Sequence, residues 1–171
     1  MSIALNKAIR RRLTGQDALT GAGLTAQQRL DTLLAADPNA SSVPAVYQGN
    51  LASSPVFPCI TFRASGGIPS GIGRSEDIGV VGQPEFDFEV WGVAHDHNID
   101  TITEILDLME QLLDQRRGIV SDRNFFTLDT GWCGLTMECI MDAVIRYDAP
   151  QNRWFGLTRY MAIEQRYKQG S

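Results

Sequence analysis

Gln83–Arg117, QPEFDFEVWGVAHDHNIDTITEILDLMEQLLDQRR, changes its hydrophobic period partway along. From Glu85 to Val93 the residues alternate. Phe86, Phe88 and Val90 point one way, and Glu85, Asp87 and Glu89 the other, which is the pattern of a half-buried strand. From Ile99 onward the spacing becomes three and four. Ile99, Ile102, Ile105, Leu106, Met109, Leu112 and Leu113 form an apolar stripe, with Asp100, Glu104, Asp107, Glu110 and Asp114 opposite, which predicts an amphipathic helix. Asn98 suits the N-cap, and Asp100 and Glu104 put acid near the positive end of the helix dipole. Arg116 and Arg117 in the last turn and Gly118 beyond it predict the stop. About twenty residues at ~1.5 Å each make a rod of roughly 30 Å. Burying both pieces places the helix stripe over the Phe86/Phe88/Val90 face.

Beyond this unit, Ile119–Thr130 is mixed, with Phe125, Phe126 and Leu128 in a short strand or a bent loop. Two long alternating runs follow. Leu135, Met137, Cys139, Met141, Ala143, Ile145 and Tyr147 share one face of the first. Phe155, Leu157, Met161 and Ile163 share one face of the second, interrupted by Arg159. Asp148–Arg153 between them has turn chemistry, so the pair reads as a β-hairpin. Its strands are longer than the usual five or six residues, and strands of this length extend past a small core towards another subunit.

Upstream, Cys59–Arg63 alternates as a strand entered from Pro58. Between it and Glu85 lies Ala64–Gln83, with six glycines. No Gly-Lys-Ser/Thr follows and no helix opens from it, so a phosphate-binding loop is rejected. The expectation is a long hairpin connection, with contact to another chain as its function. Ser41–Pro58 reads as loop, with a short strand at Ala45–Gln48. Ser2–Leu13 reads as a helix carrying Ile3, Leu5, Ile9 and Leu13. The glycines of Gln16–Gly23 break it. A second helix, Ala26–Ala36, starts from Thr25, turns Leu30, Leu33 and Leu34 inward and ends at Asp37-Pro38-Asn39. The cluster Lys7, Arg10, Arg11, Arg12 reads as a solvated helix side or a contact with an acidic neighbour, in preference to a nucleic-acid contact.

The order α, α, β, long loop, β, α, β, β predicts an α+β fold: a mainly antiparallel sheet of about four or five strands with helices on one face. The length of 171 residues fits a single domain over 1–171, in which 1–25 is a helical extension and 64–83 the glycine-rich loop. No apolar run approaches the ~20 residues of a membrane span, and no signal-peptide profile opens the chain. Cys59, Cys133 and Cys139 are odd in number and lack CxxC spacing, as expected of reduced cysteines in a cytosolic protein. The formal net charge of −5 argues against binding nucleic acid through a basic surface.

Few residues invite a chemical reading. His95-Asp96-His97 has chelating spacing. No other ligand cluster is tied to it by spacing, and it stands where strand becomes helix, so it reads as a turn. Glu104, Asp107 and Glu110 read as solvated surface, not as acid–base groups. Cys133 has no base near it in sequence, so a nucleophile is not expected. No catalytic, cofactor-binding or metal residue is assigned, and no cofactor is expected.

The succession Leu33-Leu34-Ala35-Ala36-Asp37-Pro38, Pro58-Cys59-Ile60-Thr61-Phe62, FDFEVWG, a long amphipathic helix and a closing strand WFGLTRYMAIEQRY resembles the tail-terminator, or tail-completion, proteins of tailed bacteriophages. The resemblance covers roughly residues 26–167 and is one of layout. It implies a structural, non-enzymatic subunit of a free phage or prophage. Such subunits assemble into a ring, commonly a hexamer, that caps the tail tube, ends its polymerisation and joins it to the head. The implied partners are further copies of the chain, the tail tube protein and a head-completion or connector protein, with no specific nucleic-acid binding and no membrane. The implied locations are the host cytoplasm during assembly and then the virion tail or neck. The residues expected at oligomer or tail contacts are Arg74, Glu76 and Asp77 in the glycine-rich loop and Trp154 and Arg159 in the final strand. Two other readings stay open: another head–tail connector or tail-tube-like subunit, and a small α+β enzyme or ligand-binding domain.

Overall fold

A computed structural model describes residues 3–40, 43–51, 53–68, 81–114 and 132–166. Among these the chain is α+β, with three helices and a five-stranded, mostly antiparallel mixed sheet. The elements run α1 (Ile3–Leu13), α2 (Gly21–Leu33), β1 (Val46–Gln48), β2 (Cys59–Ile68), β3 (Val81–Val93), α3 (Ile99–Leu113), β4 (Trp132–Asp148) and β5 (Arg153–Arg166). The sheet order is β1-β2-β3-β5-β4, and only β1 pairs in parallel, with β2.

β3 and α3 behave as their periods dictate. Phe86, Phe88 and Val90 are fully buried beneath Ile102, Ile105, Met109 and Leu112. Two glycines permit the close approach. A Cβ on Gly156 would stand 2.5 Å from Leu106 Cδ1, and one on Gly92 2.8 Å from Ile102 Cδ1. Asn98 is the N-cap, its side chain accepting a hydrogen bond from the Thr101 N–H at 2.9 Å.

The helix departs from expectation in four ways. It has 15 residues, ending at Leu113, while Arg116, Arg117 and Gly118 lie outside the described residues. Ile99, expected in the apolar stripe, is 45% exposed at the first helical position, because the helix meets the sheet only from Ile102 onward. Leu108 joins the buried stripe because α2 covers a second side of α3, tied to it by Arg29 and Glu104 at 2.6 Å. Asp114, expected on the solvent side, is fully buried. It has left the helix, and its carboxylate accepts the Cys139 N–H at 2.9 Å, where β4 bulges.

α2 begins at Gly21, five residues before the expected start, and stops at Leu33 instead of Ala36. Gly21 enters the helix at φ +57, which favours glycine. Burial of Gly23, Ala26 and Leu30 outweighs a glycine penalty of about 1 kcal/mol per residue. The Thr25 hydroxyl therefore donates to the Gly21 carbonyl inside the helix instead of capping it. The early stop comes from tertiary pairing. Ala35 N–H donates to Pro58 O, Ala45 N–H to Ala35 O, and Ala36 bridges Pro44.

β2 and β3 form the expected antiparallel hairpin, but both run further into the glycine-rich stretch than predicted. Gly67, at φ +91, makes this passable, since a Cβ there would collide with the Gln83 carbonyl and Pro84. In the final hairpin, β5 lies inside the sheet, paired with β3 from Arg153 to Gln165 and with β4 on its other side. The long strands therefore lie along the sheet instead of projecting past it. Phe125, Phe126 and Leu128 lie outside the described residues.

Candidate assembly surface

The register sorts the sheet's side chains onto two faces, since directly paired residues share one. On the helix side Phe62 stacks on Phe88 with centroids 5.6 Å apart, and Tyr160 meets Phe88 edge-on at 5.3 Å. Burial pushes the Tyr160 phenol well above its ordinary value. Gly156, Thr158, Tyr160 and Ala162 of β5 belong to this face and are all buried. The apolar run noted in β5 is therefore on the other side. Phe155, Leu157, Met161 and Ile163 are half-buried on the face away from α3.

This outer face is built of cross-strand rows. Trp91 pairs with Phe155 and stacks on it at 5.1 Å. Glu89 pairs with Leu157, Asp87 with Arg159 and Glu85 with Met161. β2 contributes Thr61 and Arg63 beside Glu89 and Asp87. The β3 carboxylates are held in a network. Arg159 Nε donates to Asp87 Oδ1 at 2.6 Å, with its Nη1 3.8 Å from Glu85. Arg63 lies 3.3 Å from Glu89, whose other oxygen accepts from Thr61 Oγ1 and Trp91 Nε1. Asp87 holds the Arg159 guanidinium above its usual range. The face thus combines a charged network centred on β2 and β3, which Arg159 of β5 joins, with apolar residues drawn mainly from β5 and from Trp91 of β3.

The β4 edge adjoins it. β4 is 17 residues long, and its register with β5 shifts between Cys139 and Met141 and again between Met141 and Val144. Two single-residue bulges cancel, so Met137, Cys139 and Ile145 all pack towards the core, as expected. Between them alternation fails: Met141 pairs with Arg159 of the outer face, Ala143 and Val144 are both exposed, and the expected face includes neither Met141 nor Ala143. Ile140 (44%), Val144 (43%) and Tyr147 (47%) leave large apolar groups on an edge with no strand beside it among the described residues. A flat edge with such residues is a template for pairing, and bulges restrict it.

Of the residues expected at contacts, Arg74, Glu76 and Asp77 lie outside the described residues. Trp154 and Arg159 are not brought together, being five positions apart in one strand and so on opposite faces. Arg159 is on the outer face, its side chain 37% exposed. Trp154 packs with Tyr147 at 5.1 Å beside the turn, where Tyr147 Oη donates to Asn152 at 2.7 Å. The Asp87–Arg159 pair was not foreseen from the sequence, although Arg159 interrupting the apolar run of β5 and the acidic row Glu85/Asp87/Glu89 of β3 are its signal. His97 is used by the turn, its Nδ1 accepting the Val93 N–H at 3.2 Å, while the His95 side chain is 67% exposed beside Asp96. Glu104 is engaged by Arg29, which holds its carboxyl below the ordinary range. No group of three or more His, Cys, Asp or Glu side chains suited to a metal gathers among the described residues.

No family model matches the chain, and no curated protein matches it. Among solved structures, a chain from the virion of the native gene transfer agent particle has a similar fold. The TM-score is 0.56, over 95% of this chain and 95% of that one, at 15% sequence identity.

Proposed function

We propose that the chain is a structural virion subunit that works as a tail terminator: a ring of copies, most simply six, that caps a tail tube, ends its growth and presents a surface to a head-completion protein. The observation that carries this reading is the fold shared with a virion chain over 95% of both lengths. The outer face and the β4 edge are consistent with it, since a closed ring covers edges that a lone subunit exposes. In this reading the partners are further copies, the tail tube protein and a connector, and the protein has no catalytic task. It acts in the host cytoplasm during assembly and then in the tail or neck. Arg159, with the loop residues Arg74, Glu76 and Asp77, contributes to contacts, and Trp154 acts by holding the hairpin end.

The test is to add the purified protein to growing tubes of the cognate tail tube protein and image them. The terminator reading expects a single cap at one end and tubes that stop lengthening. Incorporation along the tube would identify a tube-like subunit instead. Tubes that lengthen unaffected would contradict the proposal.

A further inference from the structure

The four cations of α1 part ways. Arg12 turns into the core, while Lys7, Arg10 and Arg11 line an open cleft of about 300 Å³ together with Gln16, Ala40 and Val43. Positions 7, 10 and 11 share one side of a helix. Asp37 stands at the cleft's margin, 3.7 Å from Arg10, and Lys7 has no ion pair among the described residues. The rest of the chain has the opposite balance, since the other twelve basic residues face twenty acidic ones. On α3, Asp100 and Asp107 are exposed two turns apart, ~10 Å along one side. Neither makes an ion pair among the described residues.

We propose that the α1 cleft receives the Asp100/Asp107 side of α3 from a second copy of this chain. The argument is charge complementarity between two separate patches. Because the patches differ, the contact is heterologous, and repeating it with closure generates a ring. The inference rests on the ring reading above and names the contact that builds the ring.

The test uses two charge-reversed full-length chains, Lys7→Glu/Arg10→Glu and Asp100→Lys/Asp107→Lys, with folding checked by circular dichroism. Each alone then carries like charge on both patches. Each is expected to need at least about tenfold more protein to assemble than the wild type. An equimolar mixture is expected to assemble as the wild type does, because alternating subunits restore every contact. Lys7→Glu alone keeps the Arg10–Asp37 pair and serves if a double variant fails to fold. It is expected to weaken assembly several-fold, and to do so less as salt rises from ~0.05 M to ~0.5 M. Variants that assemble like the wild type, or a mixture that does not recover, would overturn the contact while leaving the ring reading intact. Retention of labelled duplex DNA by the wild type, lost in Lys7→Glu/Arg10→Glu with assembly unchanged, would assign the cleft to phosphate and also overturn it. A wild type that stays monomeric, even beside tail tubes, would remove both readings.

Discussion

Replacing Asp17 with alanine would leave the Arg12 guanidinium in the core without the carboxylate that now meets its Nε at 2.7 Å. Both side chains are 2% exposed, and burial already lowers the Arg12 pKa against the opposing pull of Asp17. Breaking such a pair costs about 3–5 kcal/mol. Denaturant unfolding of Asp17→Ala is expected to show a loss in that range, and one below ~1 kcal/mol would mean that the pair is inessential. Arg12 was legible only as one of four cations. Its burial depends on Asp17 beyond the helix and on Gln27 of α2, which donates to the Arg12 carbonyl at 2.9 Å. Cys59 gives a second prediction at this scale. Burial raises its thiol from 9.0 to about 12. Between those values the unfolded chain loses a proton that the folded chain keeps. The stabilisation is therefore intact below pH 9 and is lost as pH rises towards 12, at up to ~1.4 kcal/mol per pH unit. Wild type and Cys59→Ala are expected to converge in relative stability over that range, and parallel pH profiles would contradict the assignment.

Elements were legible where a single period ran uninterrupted. β3 and α3 were readable because Phe86/Phe88/Val90 and Ile102/Ile105/Met109/Leu112 each keep one spacing, and Asn98 marks the helix start. Their distance apart was not readable, since Gly156 and Gly92 look like weak points in strands until the helix lies over them. Gly156→Ala would push a methyl against Leu106, now 2.5 Å from that position. Overpacking of this kind costs about 1–3 kcal/mol, measurable as a lowered unfolding midpoint. An unchanged midpoint would show that α3 shifts freely. β4 was legible as a strand but not as a bulged one, because the extra residues, one at Ile140 and one between Met141 and Val144, leave no mark in a run of mixed residues. Asp114 illustrates the same limit. Helical periodicity placed it outward, but it is the first residue past the helix and serves the Cys139 N–H.

For the whole molecule, the α+β class, the sheet and the helices on one face followed from the order of periods. The position of β5 between β3 and β4 did not, because pairing between distant strands depends on contacts that local pattern does not encode. The outer face was half legible: the run Phe155/Leu157/Met161/Ile163 was visible, but the side of the sheet it occupies was decided by Gly156 and Tyr160 facing α3. In the proposed function, that face, the β4 edge and the α1 cleft are the surfaces covered by neighbouring subunits. The most direct test is the mass of the wild-type protein in solution, by light scattering across protein and salt concentration. A terminator is expected to give one discrete ring mass that does not grow with concentration, or a monomer that converts to that ring on tube ends. Open-ended growth, or a monomer that never assembles even with tube ends present, would contradict it.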